Sequence, residues 1–231
     1  RNRGLRRGCP ADKPYALIPP AIDINFFAPG QKSIPQEVGV PTRPFRILSV
    51  GRLEWKKGYE FSLEAVRNLL DHGVVCEYHI IGAGTYLEAL AFARHQLGLE
   101  QVVSFLGGLP RETVKSELEW ADVLLHAAVS EGFCNAVLEA QAMQVPVVCS
   151  DADGLPENVA DSVTGFVVPR RDPKALANRL EMLAKSPELR EEMGNAGRKR
   201  VSEQFQLSEQ VKRFDGFYHQ TLTQPGNYHV D

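Results

Sequence analysis

Residues 123–149 read VLLHAAVSEGFCNAVLEAQAMQVPVVC. Val123-Leu-Leu-His126 is a short apolar run of strand length. A loop follows, then an apolar-rich helical stretch from Ala136 to Met143. Val145 to Cys149 is a second strand-like run. Two such strands joined through a helix must run parallel, because a crossover connection returns the chain to the same end of the sheet.

The same alternation extends outward in both directions. Upstream, Arg46-Ile-Leu-Ser-Val50 is a strand ending at Gly51, and Tyr59, Leu63, Val66 and Leu70 mark one face of a helix. Tyr78-His-Ile-Ile81 is the next strand, ended by Gly82. A helix from Tyr86 to Leu97 stops at Gly98. Val102 to Leu106 is a strand and Arg111 to Trp120 a helix. Downstream, Gly165 to Val168 is a further strand. Three helices close the chain: Asp172–Lys185, Pro187–Gln204 and Ser208–Thr221. Asp172-Pro173 and Ser186-Pro187 are each an N-cap followed by a first-turn proline. The strands are almost wholly apolar, as expected when helices cover both faces. The expected fold is α/β, a Rossmann-like doubly wound parallel sheet of about six strands.

Outside this alternation the chain reads differently. Residues 1–45 hold four arginines in the first seven positions and then Pro19, Pro20, Pro29, Pro35, Pro41 and Pro44. Proline removes backbone donors, so this segment should be extended or looping, with one short strand at Tyr15-Ala-Leu-Ile18. The arginines read as a solvated end. Three parts are therefore expected: an interdomain linker with the remnant of an N-terminal domain at 1–45, the main domain with its C-terminal helices at 46–222 and a tail at 223–231. The chain opens on Arg1 rather than Met, so we expect a piece of a longer or processed protein.

The 231 residues carry 26 Lys and Arg against 29 Asp and Glu, a net charge of −3. That balance argues against a nucleic-acid grip spread over the surface. Hydrophobic residues make up 43%, too many for a disordered chain at so low a net charge. No apolar run approaches the roughly 20 residues that cross a bilayer, and no signal-peptide pattern opens the chain. The scattered Cys9, Cys76, Cys134 and Cys149 suit neither a disulfide scaffold nor a metal knuckle. A reducing cytoplasm is the expected compartment.

Open parallel sheets bind ligands at the carboxyl ends of their strands. After the first strand, Gly51-Arg-Leu-Glu-Trp-Lys-Lys-Gly58 sets Arg52, Lys56 and Lys57 close to a helix start, where an anion is favoured. It does not have the Walker spacing, and a solvated turn is the plain alternative. Gly82-Ala-Gly84 follows the second strand. Leu87 stands where a dinucleotide fingerprint needs a third small residue, so a tight turn with close backbone packing is the alternative there. Gly107-Gly-Leu-Pro110 faces the same edge.

Ser130 to Glu139 is the most informative loop. Glu131 precedes a helix and Glu139 lies within it, about 12 Å away if the segment is helical throughout. Such a pair suits two ends of one elongated ligand. Gly132, Phe133 and Cys134 would offer free amides to a phosphate between them. Helix-end electrostatics for Glu131 and a surface position for Glu139 are the alternatives. Glu157, in the first turn after Pro156, is a dipole partner or a ligand contact. The six histidines show no metal-ligand spacing; His126, ending a strand on the ligand edge, reads as structural.

Taken in order, these motifs resemble the C-terminal half of the retaining, group 1 type glycosyltransferases of GT-B architecture. The residues that carry the resemblance begin with Ile18-Pro-Pro-Ala-Ile-Asp23, Phe27-Ala-Pro29, Ser49-Val-Gly-Arg-Leu53 and Lys56-Lys-Gly58. Ile81-Gly-Ala-Gly84, Phe105-Leu-Gly107 and Glu131-Gly-Phe133 with Glu139-Ala140 come next. Val145-Pro-Val-Val148, Gly154-Leu-Pro-Glu157 and Thr164-Gly-Phe166 complete the set. Two positions depart from the pattern: His126-Ala127 where many relatives read Pro-Ser, and Asp153 where a glycine is common.

The resemblance implies one half of a GT-B fold, the half that binds a nucleotide-activated sugar (UDP-, GDP- or ADP-linked). Arg52 and Lys57 match the pair that neutralises the donor diphosphate. Glu131 matches the carboxylate on the sugar hydroxyls, and these three are the implied catalytic residues. Glu139 matches the carboxylate on the ribose. Gly51, Gly82, Gly84, Leu109 and the Gly132, Phe133, Cys134, Asn135 helix start complete the implied donor site, with Leu109 at the base. No metal or other cofactor is implied. The acceptor, a sugar, lipid or other hydroxyl, would sit on an N-terminal domain. Membrane contact is open to the full-length enzyme. A sugar-nucleotide epimerase of the same fold and a non-catalytic nucleotide-sugar-binding module are the competing readings.

Overall fold

The computed structural model describes residues 16–30 and 43–223. The N-terminal arginine cluster, Tyr15, Pro35, Pro41 and the tail at 224–231 lie outside the described residues.

Six strands alternate with helices in chain order: β1 (Phe45–Val50), α1 (Tyr59–Asp71), β2 (Cys76–Ile81), α2 (Leu87–Gln96), β3 (Val103–Gly107), α3 (Arg111–Trp120) and β4 (Val123–His126). Then come α4 (Asn135–Ala142), β5 (Val147–Ser150), α5 (Leu155–Asn158), β6 (Gly165–Val168), α6 (Pro173–Lys185), α7 (Pro187–Gln204) and α8 (Leu207–Thr223). All strand pairs are parallel, in the order β3-β2-β1-β4-β5-β6. The doubly wound sheet is therefore present as expected.

Strand alternation feeds two cores. Ile47, Tyr78, Val123 and Leu125 meet Leu63 and Val66 of α1 and Leu176 and Leu180 of α6 on one face. Leu48 and Leu124 meet Val114 and Leu118 of α3, Val137 and Leu138 of α4, and Val201 of α7 on the other. Each buried aliphatic side chain is worth about 1.5–3 kcal/mol. Burial on both faces pins the register, since a one-residue slip would exchange the two cores.

The caps are as the sequence predicts. The Asp172 carboxylate accepts from the Ala175 amide at 2.9 Å, and Ser186 Oγ from the Leu189 amide at 3.1 Å. Two expectations need correction. β5 begins at Val147, not Val145, because the Val145 amide closes onto Ala140 and Pro146 has no N–H to give the ladder. Ala16 to Ile18 form no strand: Leu17 is 85% exposed, and Pro19-Pro20 supplies no donors for pairing. Farther along this segment, Ile22 and Phe27 are buried in the second core. Arg198 holds that stretch by donating to the carbonyls of Ile24, Phe27 and Ala142. Among the described residues, no helix is long and apolar enough to cross a membrane.

From β1 the chain winds outward to β2 and β3, then crosses back to β4 on β1's other side. The direction of winding reverses between β1 and β4. Their carboxyl ends are thus neighbours, and a crevice opens there.

Candidate functional site

Two loops meet at that crevice. After β1 the chain makes a short 3₁₀ turn at Trp55–Lys57 and enters α1 through Gly58. After β4 it runs through Ala127–Cys134 into α4. The Val129 and Ser130 amides donate to the Lys56 carbonyl at 2.9 and 3.3 Å, which stitches the loops together. The Tyr59 hydroxyl donates to the Gly51 carbonyl at 2.8 Å and braces the first loop. The Lys57 ammonium consequently lies directly on the Glu131 carboxylate. Both side chains are largely shielded, at 12% and 14% exposure, so removing one partner alone costs more than it would at an exposed pair. Arg52 instead reaches into solvent, at 72% exposure, and pairs with Glu54 at 3.1 Å.

Behind Glu131 lies a buried pair. His126 Nε2 is 3.2 Å from Glu131 Oε2 and 3.6 Å from Cys134 Sγ. Burial alone would push the Glu131 carboxyl up, but the hydrogen bonds from His126 and Lys57 overcome it and hold the carboxyl at about 2. Burial would likewise keep His126 neutral; Cys134 and Glu131 beside it raise the imidazole to about 9. The same imidazole draws the Cys134 thiol down against its own desolvation. Glu131 is therefore an ionised carboxylate held between two cations. His126, expected to be structural, belongs to this constellation.

The helix start differs from expectation at two of its three amides, Cys134 and Gly132, which are both taken. The Cys134 amide is not free: it donates to Asn158 Oδ1 at 3.2 Å, and Asn158 Nδ2 returns a bond to the Cys134 carbonyl at 3.3 Å. Buried Asn158 thus acts as an external cap on α4, a role no local spacing announces. The Gly132 amide faces its neighbour's carboxylate, Glu131 Oε1, at 3.2 Å. Helix geometry leaves the Asn135 and Ala136 amides without intrahelical acceptors. The Phe133 ring turns inward toward Phe205, 5.7 Å between centroids.

The loop after β5 supports this one from beneath. The Gly154 amide donates to the Glu131 carbonyl at 3.1 Å. A Cβ at Gly154 would fall 1.6 Å from the Gly132 carbonyl oxygen, so only glycine fits. Asp153 takes φ +44°, a left-handed conformation that glycine adopts freely and aspartate tolerates. That accounts for aspartate at this position. Glu157 is exposed at the far side of this turn.

Glu139 lies within α4, partly buried. Burial pushes its carboxyl up, and Arg111 at the start of α3 pulls it part of the way back. Arg111 went unnoticed in the sequence; it lies over the Phe26 and Phe27 rings, 4.3 and 4.9 Å from their centroids. Because 131–134 is loop and only 135–142 is helix, the 12 Å helical spacing between Glu131 and Glu139 does not apply. Gly82 and Gly84 serve close packing: a Cβ on either would strike the carbonyl of Gly51 or Leu53, at 1.9 and 2.2 Å. Leu109 is half-buried against the second core.

Against known proteins, the family described as "Glycosyl transferases group 1" matches residues 30–200. The chain is 35% identical over 188 residues to the amylovoran biosynthesis glycosyltransferase AmsK of Erwinia amylovora, covering 77% of this chain and 43% of AmsK. It spans about half the length of the curated relatives it matches. Sucrose-phosphate synthase from Thermosynechococcus elongatus superposes with a TM-score of 0.84 at 24% identity, over 96% of this chain and 56% of that one. Anabaena Alr3699/HepE in complex with UDP-glucose gives 0.76 at 21% identity, over 86% of this chain and 56% of that one. The family match runs from before β1 into α7. By that match the chain belongs to the group 1 glycosyl transferases, and by its superposition it has the fold of one half of a GT-B enzyme.

Proposed function

We propose that this chain is the donor-binding half of a retaining glycosyltransferase, which moves a sugar from a nucleoside diphosphate to an acceptor hydroxyl. The observation that carries the reading is the meeting of Lys57 and Glu131 at the crevice between β1 and β4. Glycosyl transfer builds positive charge on the sugar and negative charge on the departing diphosphate, so the site must supply fixed charges of both signs. Without a donor, Lys57 and Glu131 neutralise each other. A donor lying between them exchanges both partners: Lys57 and Arg52 take the diphosphate, and Glu131 takes the sugar hydroxyls. The Asn135 and Ala136 amides at the start of α4 face the same anion. Glu139 takes the ribose hydroxyls, where burial makes a charge-assisted bond strong, and Leu109 borders the base. Neutralisation by Arg52 and Lys57 leaves no step that calls for a metal. The UDP-glucose held by Alr3699/HepE supports a nucleotide-sugar donor. The acceptor belongs to a second domain, and the expected compartment is cytoplasmic, at or away from a membrane face.

The test is calorimetric titration of the chain with UDP, GDP and ADP and then with their sugar conjugates. Glu139→Ala should weaken bare nucleotide and conjugate alike. Glu131→Ala should spare nucleotide and abolish the preference between sugars. Equal effects of the two substitutions on every ligand would overturn the assignment.

A further inference from the structure

We propose that His126, Glu131 and Cys134 form a binding site for one thiophilic divalent cation of the zinc type, and that occupancy takes Glu131 out of sugar binding. The ligand atoms His126 Nε2, Glu131 Oε2 and Cys134 Sγ all lie within 4.8 Å of one another. Zinc binds nitrogen and oxygen at about 2.0–2.2 Å and sulfur at about 2.3 Å, tetrahedrally. One face of that tetrahedron sets nitrogen and sulfur about 3.5 Å apart and nitrogen and oxygen about 3.3 Å apart, by the same bond lengths. The observed separations are 3.6 and 3.2 Å. Two of the three edges already have the spacing an ion would impose; the third, from Glu131 Oε2 to Cys134 Sγ, lies within 4.8 Å and would close to about 3.5 Å around the ion.

The donor set selects the ion. Imidazole and thiolate are poor partners for magnesium or calcium and good ones for zinc, and three protein ligands leave a fourth position for water or an anion. The supports are rigid. His126 ends β4, and the Cys134 backbone is clamped from both sides by Asn158. Neither side chain is used by the donor reading: that reading draws on the Cys134 backbone at the helix start, not on its thiol, and not on His126.

The proton competes first: His126 must give up the proton that makes it a cation, and Cys134 its thiol proton, before either atom can hold an ion, so affinity should rise with pH. Lys57 is the second competitor. Its ammonium lies on the same oxygen, Glu131 Oε2, that the ion would use. Binding must displace or repel it, so the resident lysine lowers the affinity of the site. The effect on sugar binding rests on the donor reading above; the cation site itself rests on geometry alone.

Cobalt(II) titrated into the full chain is the direct probe, read by absorbance. The expected result is about one ion per chain, with a thiolate-to-cobalt charge-transfer band and the intense visible bands of tetrahedral cobalt, both removed by added zinc. Cys134→Ser should abolish the charge-transfer band, and His126→Gln should weaken binding by at least about tenfold. Lys57→Met should tighten it several-fold, and Cys76→Ala, buried elsewhere, should change nothing. Circular dichroism establishes that each variant is folded; should Cys134→Ser not fold, Glu131→Gln supplies the ligand loss. No charge-transfer band in the unmodified chain, or a band that survives Cys134→Ser, overturns the proposal. Bare nucleotide titrated into the same samples separates the two readings. A cobalt band without nucleotide binding keeps the cation site and removes the donor site, and the converse result does the reverse.

Discussion

Glu139 illustrates how a half-buried carboxylate strains its own fold. Burial raises its pKa in the folded chain above the unfolded value, with Arg111 compensating only in part. The protonated form is then the better accommodated one, so stability falls as pH rises through the folded pKa. Glu139→Gln should raise Tm by about 1–3 °C near neutral pH. The gain should vanish as pH falls toward about 4, where the native carboxyl is itself protonated. Calorimetry at two pH values checks both limbs. The same variant should lose roughly ten- to a hundredfold in nucleotide affinity, the worth of one charge-assisted hydrogen bond. At Gly154 the constraint is steric rather than electrostatic. Gly154→Ala drives a methyl group into the Gly132 carbonyl, and we expect about 1–3 kcal/mol of destabilisation in urea melts, since overpacking costs that much.

Elements differ in how much stability they carry and in how plainly the sequence announces them. α7 was readable to the residue, because Ser186 caps it and Pro187 fits only a first turn. Ser186→Ala should therefore cost about 1 kcal/mol, seen as a lower denaturation midpoint. α8 is also readable, yet none of its residues is buried, and Leu207, Val211, Phe214, Tyr218 and Leu222 are exposed. Its removal after Gln206 should leave Tm within a few degrees of the full chain. Strand ends were less legible: Pro146 interrupts an apolar run that periodicity alone continues. The site was half legible. Lys57 and Glu131 could each be placed on a loop at a strand end, since strand–glycine–helix spacing locates such loops. That the loops touch depends on β1 lying beside β4, a fact of strand order that no local pattern contains. The His126–Cys134 contact was hidden for a related reason: it needs a turn clamped by Asn158, from another element.

For the molecule as a whole, ligand binding and folding are one equilibrium. A nucleotide at a hundred times its Kd stabilises by about 2.7 kcal/mol. For a chain of this size that corresponds to a rise in Tm of about 5–10 °C. A thermal-shift panel of UDP, GDP and ADP should show this rise for the cognate nucleotide and lose it in Glu139→Ala. A uniform response to all three would mean that the protein does not distinguish the base.

Lys57 and Glu131 are 74 residues apart, with α1, β2, α2, β3, α3 and β4 lying between them in the chain. Their contact needs β1 docked on β4 across the intervening units, and we expect it to form after the rate-limiting step. Bonds made after the rate-limiting step slow unfolding and leave the folding rate untouched. Glu131→Gln should accordingly steepen nothing on the refolding limb of a chevron plot while shortening the life of the native state. The pocket thereby acts as a latch on the finished chain, and a protein engaged with its ligand should outlast an idle one wherever proteases sample the opened form.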